Sequence, residues 1–468
     1  DENDTLGHPA AQPLEAGRVL EVFRDLSQFA HCLARPAYIL EGDTGLLALD
    51  DARFALAERE DAARPPGAAS RWWLHQSLRS LEASLKRRGL TLVFRRGASL
   101  GALRGLLREC GADAVFWNRR VEPALRERDD AVRLALLSAG VRVETFNGST
   151  LLEPERVANR SGKPYQVFTP FWSSCLSAMP DFAPLPVPRL RAAPKASAAP
   201  PLGLGELKLE PAVDWAGGLR KAWRPGEAGA AKMLARFVGR PLADYETGRD
   251  LPAVAGTSRL SPYLHFGEIS PRQVWAACSG RRTPAARAFL RQLGWREFAH
   301  HLLQHFPHTA SEPLRARFAH FPWRHDPRLF RAWRRGRTGF PIVDAGMREL
   351  WATGWMHNRA RMIAGSLLVK DLLSPWTEGA RWFWDTLVDA DLANNTLGWQ
   401  WVAGCGADAA PYFRIFNPAL QAGKFDPGGE YAARWIPELG TAEYPDPVVS
   451  HAEAAERALS AYASLRKG

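Results

Sequence analysis

The chain has 468 residues, of which 46% are hydrophobic and 24% are charged, so length and composition predict a globular protein of two or three domains. The net charge of +11 favours a polyanionic partner, although basic proteins without such a partner also exist. No apolar run approaches the roughly 20 residues that cross a bilayer, so we expect no membrane partner.

The five cysteines argue against two common uses of this residue. Cys32, Cys110, Cys175, Cys278 and Cys405 include no C-x-x-C pair, which favours neither a zinc ribbon nor a disulfide framework. This pattern fits a reducing compartment, and we expect a cytoplasmic monomer.

Residues 1–148 are predicted to form an α/β domain. Strands are predicted at 17–23, 90–94, 114–117 and 141–146, and helices at 71–88, 100–109 and 122–139. This alternation indicates a doubly wound parallel sheet. The segment contains neither G-x-G-x-x-G nor a P-loop, so it is no evident dinucleotide or nucleoside triphosphate site.

Residues 149–213 are predicted to connect this domain to a second one. From Ala183 to Pro211 the chain is rich in Pro and Ala and has little periodicity, which is typical of a connector. A long ordered surface loop is an equally good interpretation.

Residues 214–468 are predicted to form a larger all-α domain. Helical periodicity is found at 229–238, 270–279, 284–305, 328–336, 341–354, 358–372 and 378–388. Of the 18 tryptophans, 14 lie at or after Trp215. Large helical cores also use Trp, but this excess favours a redox or nucleic-acid function.

Two helix faces carry polar groups at the same spacing. Gln292, Trp295 and Arg296 lie at positions i, i+3 and i+4 of one helix and therefore share a face. The same spacing recurs in a second helix, at Asn358, Arg361 and Met362. Two such faces suggest a polar pocket between helices.

Hydroxyl and carboxylate groups add to this candidate pocket. Thr257–Ser261 contains three hydroxyls and a guanidinium, which suits a phosphate cradle as well as an ordinary helix cap. Asp389 and Asp391 precede a predicted helix and either cap it or accept hydrogen bonds from ribose or adenine. Asn395 and Trp399 are four residues apart and can face one ligand, whereas Trp401 points to another surface.

Four histidines cluster at the end of the predicted helix 284–305. His301 and His305 have a spacing found in metal sites, but no H-E-x-x-H accompanies them. We therefore expect no metal, and we interpret His300, His301, His305 and His308 as a basic or packing surface.

These motifs together resemble the photolyase/cryptochrome family, and most closely the bacterial cyclobutane pyrimidine dimer photolyases. The most specific matches are Gly354–Met362, Asp389–Trp401 and Asp408–Pro418, with a further match at Gly162–Phe171. The family's opening strand is not found, and the resemblance places the first residues of this chain after it.

The resemblance implies FAD bound inside the helical domain. The pyrophosphate side would be held by Tyr245, Thr257, Ser258, Arg259, Leu260, Ser261 and Arg296. The isoalloxazine, ribose and adenine would be lined by Asn358, Arg361, Asp389, Ala390, Asp391 and Asn395. Asn395 would lie near flavin N5.

The resemblance also implies roles in electron transfer and DNA binding. Electrons would pass through Trp323, Trp376 and Trp399, the last of which would lie next to the flavin. The flipped dimer would be contacted by Trp295, Trp401, Met362, Asn358 and Gln292, and the DNA backbone by Arg249 and Gln421. The implied activity is light-driven splitting of cyclobutane pyrimidine dimers in DNA.

One residue departs from the pattern of the dimer-splitting enzymes. They carry Glu where this chain has Gln292, and Gln is typical of (6-4) photolyases and animal cryptochromes. Those proteins carry His where this chain has Asn358 and Met362. The alternative function is therefore a photolyase-like cryptochrome that photoreduces FAD and signals with weak or no repair. A second, antenna chromophore such as a folate or a deazaflavin is left open.

Overall fold

The computed structural model describes residues 37–41, 46–50, 65–95, 97–184, 202–409 and 413–465. The predicted strand at 17–23 and Cys32 lie outside these residues. The described residues form an α/β domain followed by a larger helical domain, so the predicted fold class is confirmed.

The α/β domain is built on one five-stranded sheet. Its strands are β1 (Ala37–Glu41), β2 (Leu46–Asp50), β3 (Leu92–Arg95), β4 (Ala114–Asn118) and β5 (Arg142–Phe146). Its helices are α1 (Ala68–Lys86), α2 (Ser99–Cys110) and α3 (Pro123–Leu137). The strand order is β3-β2-β1-β4-β5.

The strand directions in this sheet are mixed. Strands β2 and β3 are parallel, as are β4 and β5, and a helix lies between the two strands of each pair along the chain. Of these two units, only β4–α3–β5 was predicted in full. Neither β1 nor β2 was predicted, and the middle strand β1 runs antiparallel to both β2 and β4. Only residues 42–45 separate β1 from β2, and so short a connection joins neighbouring strands in antiparallel directions.

Alternating residues of the sheet pack against helices on its two faces. Phe94 and Phe116 pack with residues of α1, whereas Val93 and Val115 pack with residues of α2 and α3. Because side chains of a strand alternate between faces, this burial on both sides explains the nearly continuous apolar strands.

The predicted connector contains ordered elements. It includes helix α4 (Phe168–Ser177) and short 3-10 helices at Pro154–Arg156 and Leu204–Leu207. A Cβ atom on Gly294 would lie 2.5 Å from the Trp172 ring, so Gly294 allows α4 to pack closely on the helical domain.

The helical domain supplies the remaining helices. They are α5 (Gly217–Ala222), α6 (Glu227–Gly239), α7 (Tyr245–Gly248), α8 (Ser261–His265), α9 (Pro271–Ser279), α10 (Pro284–His305), α11 (Pro327–Arg334), α12 (Pro341–Thr353), α13 (Asn358–Ser366), α14 (Trp376–Thr386), α15 (Leu392–Ala403), α16 (Pro418–Phe425), α17 (Glu430–Trp435) and α18 (His451–Ser464). A π-helical segment, Leu367–Asp371, extends α13. No helix among the described ranges has both the length and the hydropathy of a bilayer span.

A buried carboxyl group joins α1 to the helical domain. Trp73 Nε1 and the Gly226 amide both donate to Glu268 Oε1, at 3.2 and 2.7 Å. Burial raises the pKa of Glu268 from 4.5 to about 8. The folded protein therefore keeps a proton that the unfolded chain releases between these two values.

We expect the stability of the protein to fall as the pH rises through this window, because the unfolded state binds fewer protons. Replacing Glu268 with Gln keeps an acceptor for Trp73 and removes the titration. The stability of the variant relative to the parent should rise with pH, by at most on the order of 5 kcal/mol. Thermal unfolding of both proteins between pH 5 and 8 measures this difference, and parallel pH profiles would contradict it.

Candidate functional site

A cavity of about 380 Å³ lies among the helices of the second domain. Its lining includes these residues predicted from the sequence: Tyr245, Arg249, Thr257, Ser258, Arg259, Leu260, Ser261, Gln292, Arg296, Asn358, Arg361, Met362, Asp389, Ala390, Asp391, Asn395 and Trp399. Residues that are far apart in the chain thus converge on one space, on which helices α8, α10, α13 and α15 all border.

Helix starts place several of these side chains. The His357 imidazole accepts a hydrogen bond from the Arg359 amide and caps α13, which places Asn358 at the first position of that helix. Asp391 caps α15 by accepting a hydrogen bond from the Asn394 amide at 2.8 Å. Asp391 therefore acts as a helix cap and also lines the cavity.

An ion pair fixes the carboxylate at the centre of the site. Arg361 donates to Asp389 at 2.8 and 3.1 Å, and its Nε donates to the Met356 carbonyl. The Ser261 hydroxyl donates to the same carboxylate at 2.6 Å. This hydrogen bond joins the predicted phosphate cradle, Thr257–Ser261, to Asp389 of the predicted carboxylate pair.

Two histidines lie beside the second carboxylate. Asp391 Oδ2 is 3.5 Å from His300 Nε2 and 3.7 Å from His265 Nδ1. Burial alone would raise the pKa of Asp391, but His300 and His265 hold it well below its usual range. Asp391 is thus held as an anion in the lining of the cavity.

Neither histidine was predicted as a partner of Asp391. His300 was interpreted with His301, His305 and His308 as a basic or packing surface. His300 and His301 are buried, which excludes an exposed basic surface for these two and fits the packing alternative. His300 lies four residues after Arg296, so helical spacing could have placed it on the cavity face. Within the described ranges, no three or more His, Cys, Asp or Glu side chains are grouped so that they could hold a metal ion.

The predicted phosphate cradle contains an arginine held between two tryptophans. The Arg259 guanidinium lies 4.4 Å from the Trp223 ring centre and 4.7 Å from that of Trp355. Arg259 has a φ of 51°, a backbone conformation that costs energy for a residue with a side chain. The neighbouring hydroxyls of Thr257 and Ser258 face the cavity.

Arg296 also contacts the segment that follows the α/β domain. Its guanidinium donates to the Ser149 carbonyl at 2.6 Å, while its neighbour Glu297 accepts from the Leu151 amide at 2.7 Å. The predicted phosphate ligand Arg296 therefore borders the cavity while it anchors residues 149–151.

The mouth of the cavity carries the predicted lesion contacts. Asn358 is exposed, and its side-chain nitrogen lies 3.7 Å from the Met362 sulfur. Gln292 is half-buried on the facing helix α10. Two amides and a thioether thus line the same cavity, and one of the amides is open to solvent.

The two predicted lesion tryptophans lie outside the cavity lining. Trp295 stacks face to face on Phe168, with ring centres 3.7 Å apart. Trp401 packs against Phe416, and the Arg414 guanidinium lies 5.2 Å from its ring centre. Both indoles are half-buried, so each keeps surface that a ligand at the mouth could contact.

The three predicted relay tryptophans pack in one hydrophobic cluster. Trp399 and Trp376 are each 4% exposed, and the half-buried Trp323 packs against the same cluster. A Cβ atom on Gly379 would lie 2.1 Å from the Trp399 ring, so only glycine lets helix α14 approach this indole. Burial thus decreases from the cavity wall towards Trp323.

The two residues predicted to contact the DNA backbone have different surroundings. Arg249 borders the cavity and lies 3.5 Å from the Asp250 carboxylate. Gln421 is half-buried in helix α16, outside the lining.

The comparisons with known proteins agree with this site. A model of the FAD-binding domain of DNA photolyase matches residues 289–443, and a DNA photolyase model matches residues 49–189. The chain is 45% identical to a deoxyribodipyrimidine photo-lyase of Agrobacterium fabrum, over 87% of this chain and 91% of that protein.

The chain belongs to the photolyase/cryptochrome family. A solved member, a class III photolyase from Agrobacterium tumefaciens, is 44% identical with a TM-score of 0.84, covering 90% of this chain and 92% of that one. Cryptochrome-2 of Arabidopsis thaliana is 41% identical over 82% of this chain and 66% of that protein. Both deoxyribodipyrimidine photo-lyases and cryptochromes are therefore relatives of this chain.

A further solved photolyase contains more than one cofactor molecule. The photolyase of the archaeon Sulfolobus tokodaii is 25% identical with a TM-score of 0.74, covering 94% of this chain and 96% of that one, and was solved with two FAD molecules.

Proposed function

We propose that this protein is a light-driven DNA repair flavoprotein that splits cyclobutane pyrimidine dimers. One observation carries the proposal: the residues that would bind FAD line one cavity, together with Trp399 and three of the residues that would contact a lesion, Gln292, Asn358 and Met362. Relatives named deoxyribodipyrimidine photo-lyase, at up to 45% identity, support the same function.

The residues of the cavity fit FAD. Thr257 and Ser258 offer hydroxyls to the pyrophosphate, with Arg259 and Arg296 nearby as cations. Burial raises the pKa of Tyr245 to about 12, so its phenol is a neutral hydrogen-bond donor there. When bound, reduced FAD would supply a light-absorbing group that donates one electron to the dimer.

The carboxylates and amides suit the other parts of the cofactor. Asp389 and Asp391 are anions that can accept hydrogen bonds from ribose hydroxyls or the adenine amine. Asn395 donates its side-chain N–H to the Ala380 carbonyl at 3.0 Å, which directs the amide, and its side-chain oxygen has no donor among the residues that the structure describes. We assign Asn395 to the neighbourhood of flavin N5.

The rim of the cavity would receive the dimer. Gln292 and Asn358 can donate hydrogen bonds to the pyrimidine carbonyls, Met362 offers a polarisable surface, and Trp295 and Trp401 provide indole surface. Photolyases extrude their target from the duplex, and a poorly stacked dimer costs less to extrude than a normal pair.

Trp399, Trp376 and Trp323 would supply electrons to the bound cofactor in sequence. Trp399 lines the cavity, and Trp323 lies towards solvent in the same hydrophobic cluster. An external reductant such as a thiol would then restore Trp323.

The surface around the cavity would hold DNA independently of sequence. The net charge of +11 supports this, because binding cations to phosphates releases counterions. We assign contacts with the DNA backbone to Arg249 and Gln421.

A photolyase-like cryptochrome is the second candidate, and Gln292 is the observation that favours it. An amide cannot supply a proton to the dimer radical anion, whereas the Glu usual in dimer photolyases can. Asn358 and Met362 argue against (6-4) repair, since that chemistry would lack its histidine acid. Strong dark binding of dimer DNA without repair under light would identify this candidate.

A second chromophore would bind in the α/β domain. A cavity of about 540 Å³ borders the ends of β4 and β5, and its lining includes Arg119, Arg120, Arg126 and Arg133. Ligands of α/β sheets bind at the carboxyl ends of strands, and these arginines suit a folate, a deazaflavin or another flavin with an acidic tail. Extraction of the purified protein, followed by spectroscopy, would identify this chromophore.

We further propose that the protein acts as a cytoplasmic monomer. In the described residues, Cys175, Cys278 and Cys405 are free and buried, as suits a reducing compartment.

The first test of this function is whether the purified protein contains FAD. We expect the purified protein to be coloured and to release FAD on denaturation, and to bind a thymine-dimer duplex in the dark more tightly than the undamaged duplex. A colourless protein that releases no flavin would refute the proposed function.

A further inference from the structure

Arg291 stands at the rim of the candidate lesion pocket without an assigned role. It lies in helix α10 directly before Gln292 and one turn before Trp295, and its side chain is exposed. Residues four apart on a helix share a face, so Arg291 extends the face that carries Trp295 away from the cavity.

An aromatic ring fixes the position of this arginine. The rings of Trp295 and Phe168 are 3.7 Å apart and only 7° from parallel. The Arg291 Cζ atom lies 4.6 Å from the centre of the same Phe168 ring. Because the indole already covers one face of Phe168 at contact distance, the guanidinium has to lie over the other face.

The Phe168 ring, which contacts both Trp295 and Arg291, is itself tightly packed. Phe168 is fully buried at the start of helix α4 and packs in a cluster with Phe298 and Trp172. The indole of Trp295 and the guanidinium of Arg291 therefore stack on a Phe168 ring that is held in place by its buried neighbours.

The polar groups of Arg291 have no partner in the described part of the chain. Its side chain makes no hydrogen bond and no ion pair there, although neighbouring arginines do. Arg287 donates to the Arg282 carbonyl at 2.9 Å, and Arg296 donates to the Ser149 carbonyl at 2.6 Å. Arg291 is thus a cation in a fixed place with its donors free, which lowers the entropy cost of binding an anion.

We propose that Arg291 binds the DNA phosphate next to the extruded dimer. This inference rests on the proposed function, because it takes the dimer to be bound beside Trp295. A lesion docked at the rim brings its flanking phosphates to the adjoining surface, where a guanidinium can bind phosphate oxygens through two parallel hydrogen bonds.

The test compares three variants in dark binding of a thymine-dimer duplex over a salt series. Arg291→Gln removes the charge, Arg291→Lys keeps it, and Arg287→Gln removes an exposed charge one turn earlier on the same helix. Flavin absorbance and thermal unfolding confirm that each variant is folded and loaded.

We expect Arg291→Gln to weaken dimer binding about tenfold and to reduce the slope of log K against log salt by about 0.9. Arg291→Lys should keep the parental slope, and Arg287→Gln should match the parent in both quantities. An unchanged slope for Arg291→Gln, or an equal loss for Arg287→Gln, would overturn the assignment. A parent protein that does not prefer the dimer duplex would instead refute the proposed function.

Discussion

Replacing Trp399 with Phe is expected to slow light-driven reduction of bound FAD by about a hundredfold or more, which corresponds to roughly 3 kcal/mol in the barrier. Trp399 lines the cavity, is 4% exposed and packs against Phe383 with ring centres 5.0 Å apart. Phenylalanine fills most of the same space but is far harder to oxidise. The measurement is the loss of oxidised-flavin absorbance under blue light with a thiol present.

Trp401→Phe is the matched control for this experiment. Trp401 lies two residues further along helix α15, is half-buried and does not line the cavity. Its variant should photoreduce at the parental rate while binding dimer DNA less tightly. If Trp399→Phe photoreduces as fast as the parent, the assigned relay is wrong.

Replacing Gln292 with Glu is expected to increase the yield of dimer repair about tenfold. Gln292 is half-buried in the wall of the cavity, where a carboxyl group could make a stronger hydrogen bond to the dimer radical anion and donate a proton. A hydrogen bond to a charged group contributes roughly 1.5–3 kcal/mol, which corresponds to a tenfold to hundredfold change in rate.

Gln292→Leu provides the opposite comparison, because it keeps a similar volume and removes every hydrogen bond. The expected order of repair per absorbed photon is Glu above Gln above Leu, with equal flavin content in all three proteins. Equal repair by the Glu and Gln proteins would mean that another group already compensates for the missing carboxyl.

Local patterns were enough to predict most of the helices, strand β3 and both strands of the parallel pair β4–β5. Helix α10 begins and ends at the predicted residues, because Pro284 and the apolar periodicity mark it clearly. Strands β1 and β2 were both missed, since each is a short apolar run of five residues, and periodicity alone does not identify such a run as a strand. Helix α4 was missed within the predicted connector, because it is only ten residues long and depends on packing against α10.

The site was predicted where motifs mark it and missed where only the fold brings residues together. Helical spacing and the family resemblance placed Asn395 and Trp399 on the same cavity. Spacing within α10 did not reveal that Phe168, distant in sequence, stacks on Trp295. The pairing of His300 with Asp391 likewise depends on how α10 packs against α15.

Light-dependent repair of a thymine-dimer oligonucleotide tests the central claim most directly. The unmodified protein, with its flavin reduced, is incubated with the substrate in matched light and dark arms, and intact thymines are quantified. We predict restoration of the thymines under blue or near-ultraviolet light and none in the dark. Tight dark binding with no restoration under light would contradict the repair function and favour the cryptochrome.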